Sequence, residues 1–145
     1  MLEAKKYLEQ IQRMDTQINN RWESLQKLYA MRTKMTTVFS MSAVSGSSAQ
    51  NKLEDISIKI WDIEKEVNRK IDKFIELKLE ATQLIDQLTD INHAMVLHKI
   101  YFEYKKIDEV AADIGVSTRS IRYWHNNALS ALEEIRKRKV DNGKG

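Results

Sequence analysis

An apolar repeat with a seven-residue period runs through the middle of the chain and constrains its fold more than any other feature. Leu53, Ile60, Val67, Phe74, Ala81 and Leu88 recur at that spacing, and Ile56, Ile63, Leu77, Leu84 and Ile91 form a companion stripe broken by Lys70. Residues spaced this way share one side of an α-helix, whereas on a strand they would alternate between faces. A helix from about Asn51 to Asp90 would run roughly 60 Å at 1.5 Å per residue, and such a stripe must pack against another helix. The chain has no proline in 145 residues, with 42% hydrophobic and 31% charged residues, so nothing interrupts an all-α reading.

The nearest partner is the segment from about Leu2 to Lys34. There Leu8, Ile11, Ile18, Trp22, Leu25 and Tyr29 form a second seam, broken by Asp15 and widened by Tyr7, Met14, Leu28 and Met35. A Ser-rich connection at about 36–50, containing Gly46, joins the two and carries Val38, Phe39, Met41 and Val44, which can seat on the bundle or on a partner. The pattern predicts a long, coiled-coil-like antiparallel helical hairpin over residues 1–90. Its seam is wider than two helices need, which predicts a homodimer in which two hairpins form a four-helix bundle. Lys70 and Asp15 either set register or sit at a solvated edge. Trp22, Trp61, Met14 and Met35 read as core or interface packing, and no cofactor is expected.

The C-terminal part carries a different signal. Between Val110 and Trp124, Val110, Ile114, Val116, Ile121 and Trp124 are apolar where two crossed helices meet, Ala111 is small at the crossing, and Gly115 falls where a tight turn takes a left-handed residue. This spacing predicts a helix-turn-helix in residues 91–139, followed by a flexible tail at 140–145. Ser117 or Thr118 can cap the second helix. Its first turns then present Thr118, Arg119, Arg122 and Tyr123 away from Ile121 and Trp124, with Asn126 and Asn127 further along and His125 a polar neighbour. An Arg here can bond guanine bidentately and an Asn can read adenine, so Ser117, Thr118, Arg119, Arg122, Tyr123 and Asn126 are the candidate contacts to double-stranded DNA.

Gly115-Val-Ser-Thr-Arg-Ser-Ile-Arg122, followed by Ala128-Leu129 and Leu132, resembles the promoter-reading region 4 of bacterial primary-type sigma factors, where the pattern runs Gly-Val-Thr-Arg-Glu-Arg-Ile-Arg, then Ala-Leu and Leu. Ile100-Tyr-Phe-Glu103 is similar to the preceding helix of that region. From Ala4-Lys-Lys-Tyr-Leu-Glu-Gln-Ile11 onward, the whole chain resembles small phage- and prophage-encoded ArpU-like transcription regulators of Gram-positive bacteria. The resemblance implies a base-facing role for Thr118, Arg119 and Tyr123, a phosphate-facing role for Arg122, action at promoters including late phage operons, and contact with host RNA polymerase. Where sigma factors have Arg-Glu-Arg, this chain has Thr118-Arg119-Ser120, and Tyr123 replaces their Gln, so their promoter sequence does not carry over. Lys106 stands where a Ser or Thr usually caps the first helix, and Asp108 is a substitute if that helix starts later.

Charge supports a DNA-facing C-terminus. Up to Asn92 there are 14 basic and 14 acidic residues; from His93 there are 10 and 7, so the net +3 sits with the second part. Arg136 to Lys139 is the dense basic cluster. The excess is small enough that one copy alone is expected to bind DNA weakly.

Other functions find no support in the residues. The chain has no cysteine, no signal-peptide core and no apolar run of spanning length, which predicts a soluble protein of the bacterial cytoplasm without membrane contact. His93 and His98 are five apart and do not share a helix face, no nucleophile or phosphate-loop motif occurs, and Glu64, Glu66, Glu133 and Glu134 read as solvated helix surface. No catalytic residue, metal ligand or cofactor site is expected. Two further readings are a DNA-packaging recognition subunit of small-terminase type, whose usual domain order is the reverse of this one, and a helical adaptor that does not bind DNA.

Overall fold

Apolar spacing without a proline break produces helices almost throughout. The computed structural model describes residues 2–41 and 47–144, with the side chains of 3–40 and 48–143. These residues form α1 (Leu2–Met41), α2 (Ser47–Asp86), α3 (Ile91–Tyr101), α4 (Ile107–Ile114) and α5 (Thr118–Lys144), with no strand among them. The protein is all-α. No described helix is long and apolar enough to cross a membrane.

The Ser-rich stretch is more helical than its composition suggests. Val38, Phe39 and Met41 belong to α1 and residues 47–50 to α2, while Val44 and Gly46 lie outside the described residues. Thr36, Thr37 and Ser40 each donate a hydroxyl hydrogen bond to the carbonyl four residues back, at 2.8, 2.9 and 3.0 Å, so groups that compete with a helix elsewhere are satisfied along it here. At the other end, α5 continues through Lys144, past residue 140 where composition suggested a tail.

Packing divides the chain into two units, Asp15–Lys73 and Met1–Met14 with Phe74–Gly145. In the first, α1 and α2 lie side by side. Arg21 pairs with Glu66 at 3.2 Å, Tyr29 donates to Glu64, and Leu25, Ile60 and Val67 are buried from the two seams. Ile18, Leu28, Leu53, Ile56 and Ile63 are only half-buried. Trp22, counted with the seam, is 51% exposed. Lys70 breaks the stripe without being stranded, because Glu66 lies 3.9 Å from its ammonium one helical turn back.

The second unit has the larger core, to which α1, α2, α3 and α5 contribute. Ala4, Leu8 and Ile11 of α1, Ala81, Leu84 and Ile85 of α2, Leu97 and Tyr101 of α3, and Ala128, Leu129, Leu132 and Ile135 of α5 are buried together. Burial of each large aliphatic side chain contributes roughly 1.5–3 kcal/mol relative to exposure. A cut at residue 90 therefore passes through one packed unit, since the ends of the long helices supply the floor on which α3 and α5 rest. A second cluster of Val96, Val110, Ala111 and Ile121, edged by Ile100, Ile107, Ile114, Val116 and Trp124, joins α3, α4 and α5.

Candidate nucleic-acid interface

The turn between α4 and α5 is built by its residues. Gly115 has φ 81° and ψ 34°, the left-handed region that costs other residues steric strain. Its N–H and that of Val116 both donate to the carbonyl of Ala111, at 2.9 and 3.1 Å, closing the end of α4. Two residues on, Ser117 starts α5: its Oγ accepts from the Ser120 N–H at 3.1 Å and lies 3.0 Å from the Ser120 hydroxyl. Of the two candidate caps, Ser117 is the one used, so its hydroxyl is committed to the helix end. At the start of α4, Lys106 is the capping residue and has no side-chain cap bond; Asp108 does not replace it, but lies with Glu109 in the first turn, where negative charge suits the helix dipole.

The two faces of α5 are sharply divided. Ile121, Ala128, Leu129 and Leu132 are fully or almost fully buried and Trp124 is half-buried, which fixes the rotation of the helix. Thr118, Arg119, Arg122, Tyr123 and Asn126 are all exposed on its outer side, and Tyr123 is 66% exposed, a large aromatic left uncovered beside two cations. Among the described residues, no carboxylate pairs with Arg119 or Arg122. Asn127, one helical turn past Tyr123, is half-buried.

The basic cluster further along α5 is differently engaged. Arg136 stacks its guanidinium 4.2 Å from the centre of the Tyr7 ring, Lys137 lies 4.0 Å from Glu134, and the Arg138 Nε donates to the Glu134 carbonyl at 3.5 Å. Three of its four cations therefore serve packing or the helix itself.

Several groups that hold the outer face in place are invisible to motif reading. His125 points inward: its Nε2 is 2.7 Å from the Tyr101 hydroxyl and the rings stack with centres 5.7 Å apart, tying α5 to α3. Burial, with the charge of Lys5, holds the His125 imidazole below its ordinary range, and burial pushes the Tyr101 phenol up. The link from α3 to α4 turns at Tyr104, whose φ of 58° is unusual for a bulky residue. There the Glu103 and Lys105 N–H groups return to the carbonyls of His98 and Lys99, at 3.2 and 3.0 Å. Lys105 bonds Asp113 of α4, Lys99 lies 3.8 Å from the same carboxylate, and Glu103 bridges His98 at 3.2 Å and Lys105 at 3.6 Å. The bond to Lys105 is the main force holding Asp113 below the usual carboxylate range, and it raises Lys105 in turn. At Glu103, burial alone would raise the pKa, but the His98 bond and the two lysines outweigh it and lower the group. No single residue type predicts these pairs, because their partners lie 2 to 24 positions apart.

Among the described residues, no three His, Asp or Glu side chains converge as a metal site. With the geometry established, comparison with known proteins adds one relation: residues 33–133 match a family described as a protein of unknown function, DUF1492. The match spans more than half of the chain. The chain belongs to the DUF1492 family. Neither the curated proteins nor the solved structures provide a match. The DUF1492 region runs from the end of α1 into α5 and takes in the whole outer face at the start of α5.

Proposed function

We propose that this DUF1492 protein is a sequence-specific DNA-binding regulator of transcription in which α4, the Gly115 turn and α5 form a helix-turn-helix. The observation carrying this reading is the outer face of α5, where Thr118, Arg119, Arg122, Tyr123 and Asn126 stand exposed on a helix whose other side is locked into the core. A helix held this way can enter the major groove with its first turns against base edges. Arg119 serves base reading, Arg122 the phosphate backbone, and Tyr123 offers an aromatic surface to a base or a thymine methyl. The two long helices form an antiparallel hairpin in Asp15–Lys73, and two copies associate through it, which offsets the weak charge of a single reading head. The resemblance to sigma region 4 and to phage-type regulators supports action at promoters beside the RNA polymerase of a bacterial host.

Selection of bound sequences from a random duplex pool, at two salt concentrations, tests the reading. An enriched motif whose binding weakens with salt is expected. Arg122→Ala should weaken binding to every sequence, and Arg119→Ala should cost about 1–3 kcal/mol at the selected site and relax its sequence preference. Equal binding by both variants and the parent would remove DNA reading from this face and leave an adaptor that binds protein.

A further inference from the structure

Ile58 and Trp61 lie on the side of α2 opposite its packed seam, 58% and 56% exposed, in a unit that buries only Leu25, Ile60 and Val67 among its described residues. Helical spacing places Asn51, Glu54, Ile58, Trp61, Lys65 and Asn68 on one stripe, at intervals of three and four residues, and all six are exposed. The stripe reads the same in chemical type from either end, except that its two charges are opposite. It runs amide, charge, apolar, apolar, charge, amide.

We propose that this stripe is an antiparallel contact between two copies of the chain, a deepening of the dimer proposed above and resting on it. Aligned about a two-fold axis between Ile58 and Trp61, each Ile58 meets Trp61 of the second copy, each Glu54 meets Lys65, and each Asn51 meets Asn68. Every stripe residue finds a complement, as an isologous interface requires. A parallel pairing would set Glu54 against Glu54 and Lys65 against Lys65, so the charges select the direction. Lys65 already rests over Trp61, its ammonium 3.5 Å from the ring centre, which leaves the rim charge at the edge of the apolar centre. Tryptophan at the middle of a patch ringed by polar groups is the usual arrangement of an interface hot spot. An unrelated partner would have no need of a stripe that mirrors itself.

Sedimentation velocity of the full chain over a concentration series tests this, with Glu54→Lys, Lys65→Glu and the double exchange compared with the parent, and circular dichroism checking that each stays helical. The parent should dimerise, either single exchange should weaken the dimer by about tenfold or more, and the double exchange should recover most of that loss. Leu79→Ala, an exposed apolar site on α2 outside the stripe, should change nothing. A parent that stays monomeric would overturn both this contact and the proposed dimer, while leaving the α5 face to its own test. A dimer indifferent to the single exchanges, or not restored by the double, would overturn this contact alone. Should an exchange unfold the chain, the absence of native cysteine offers a second route: a mixture of Glu54→Cys and Lys65→Cys chains should cross-link to each other. Preferential cross-linking of Glu54→Cys to itself would mean parallel pairing and refute the proposal.

Discussion

His125 lies two positions after Tyr123 and one before Asn126, both recognition-face candidates, yet its ring turns inward to Tyr101. Its imidazole is held below the ordinary value of 6.5 by burial and by Lys5, so on acidification the unfolded chain takes up that proton before the folded protein does. The stability tied to the neutral ring is complete above pH 6.5 and drains as the pH falls toward the folded pKa. Chemical denaturation at pH 7.5 and pH 5 should show the protein weaker at the lower pH. His125→Gln, which keeps a polar atom near Tyr101 without a titrating ring, should show a smaller pH difference; an unchanged difference would place the titration elsewhere. Glu103 and Asp113 are both held below their usual values, so their losses fall at more acid pH. The sequence marked this histidine as polar and near the recognition face. It could not show the inward turn, because the partner Tyr101 lies 24 residues away.

At the level of elements, the junction of α4 and α5 was largely legible: a lone Gly before Val116 and Ser117, with apolar residues at crossing positions, corresponds to a left-handed turn, a Ser cap and a buried Ile121. Local rules suffice there because each bond spans five residues or fewer. A methyl group placed on Gly115 would meet nothing within 4 Å, so its replacement strains only the backbone. Gly115→Ala should therefore cost about 1–2 kcal/mol in urea unfolding, and Gly115→Asn less, since Asn visits that conformation more readily. A much larger loss would mean that the turn is also packed against something. The start of α4 was read less well. Asp108 as a substitute cap would start the helix at Glu109, whereas it begins two residues earlier, at Ile107, with the exposed Lys106 as its capping residue and acidic residues in its first turn.

For the whole molecule, Ala4, Leu8, Ile11, Ala81, Leu84 and Ile85 complete the core under α3 and α5. A fragment of residues 91–145 would expose the faces of Leu97, Leu129, Leu132 and Ile135 that those side chains cover. It is expected to unfold without a cooperative transition and to show poorly dispersed amide resonances, while the full chain unfolds cooperatively; a well-folded fragment would show that the floor is dispensable. Helical periodicity, the tight turn and the division of α5 into an apolar and a polar face are properties of neighbours along the chain, and the residues alone determined them. Which stretches of the seams are buried, where the packing units divide, and the pairing of His125 with Tyr101 and of Lys105 with Asp113 were decided only by tertiary structure. A heptad stripe states that a helix face needs cover, but the depth of that cover depends on what other helices bring to it. Here Ala4, Tyr7, Leu8 and Ile11 of α1 and Ala81, Leu84 and Ile85 of α2 pack with α3 and α5 and are buried deeply, whereas the described residues of Asp15–Lys73 have two helices to share and leave Trp22, Ile58 and Trp61 in the open.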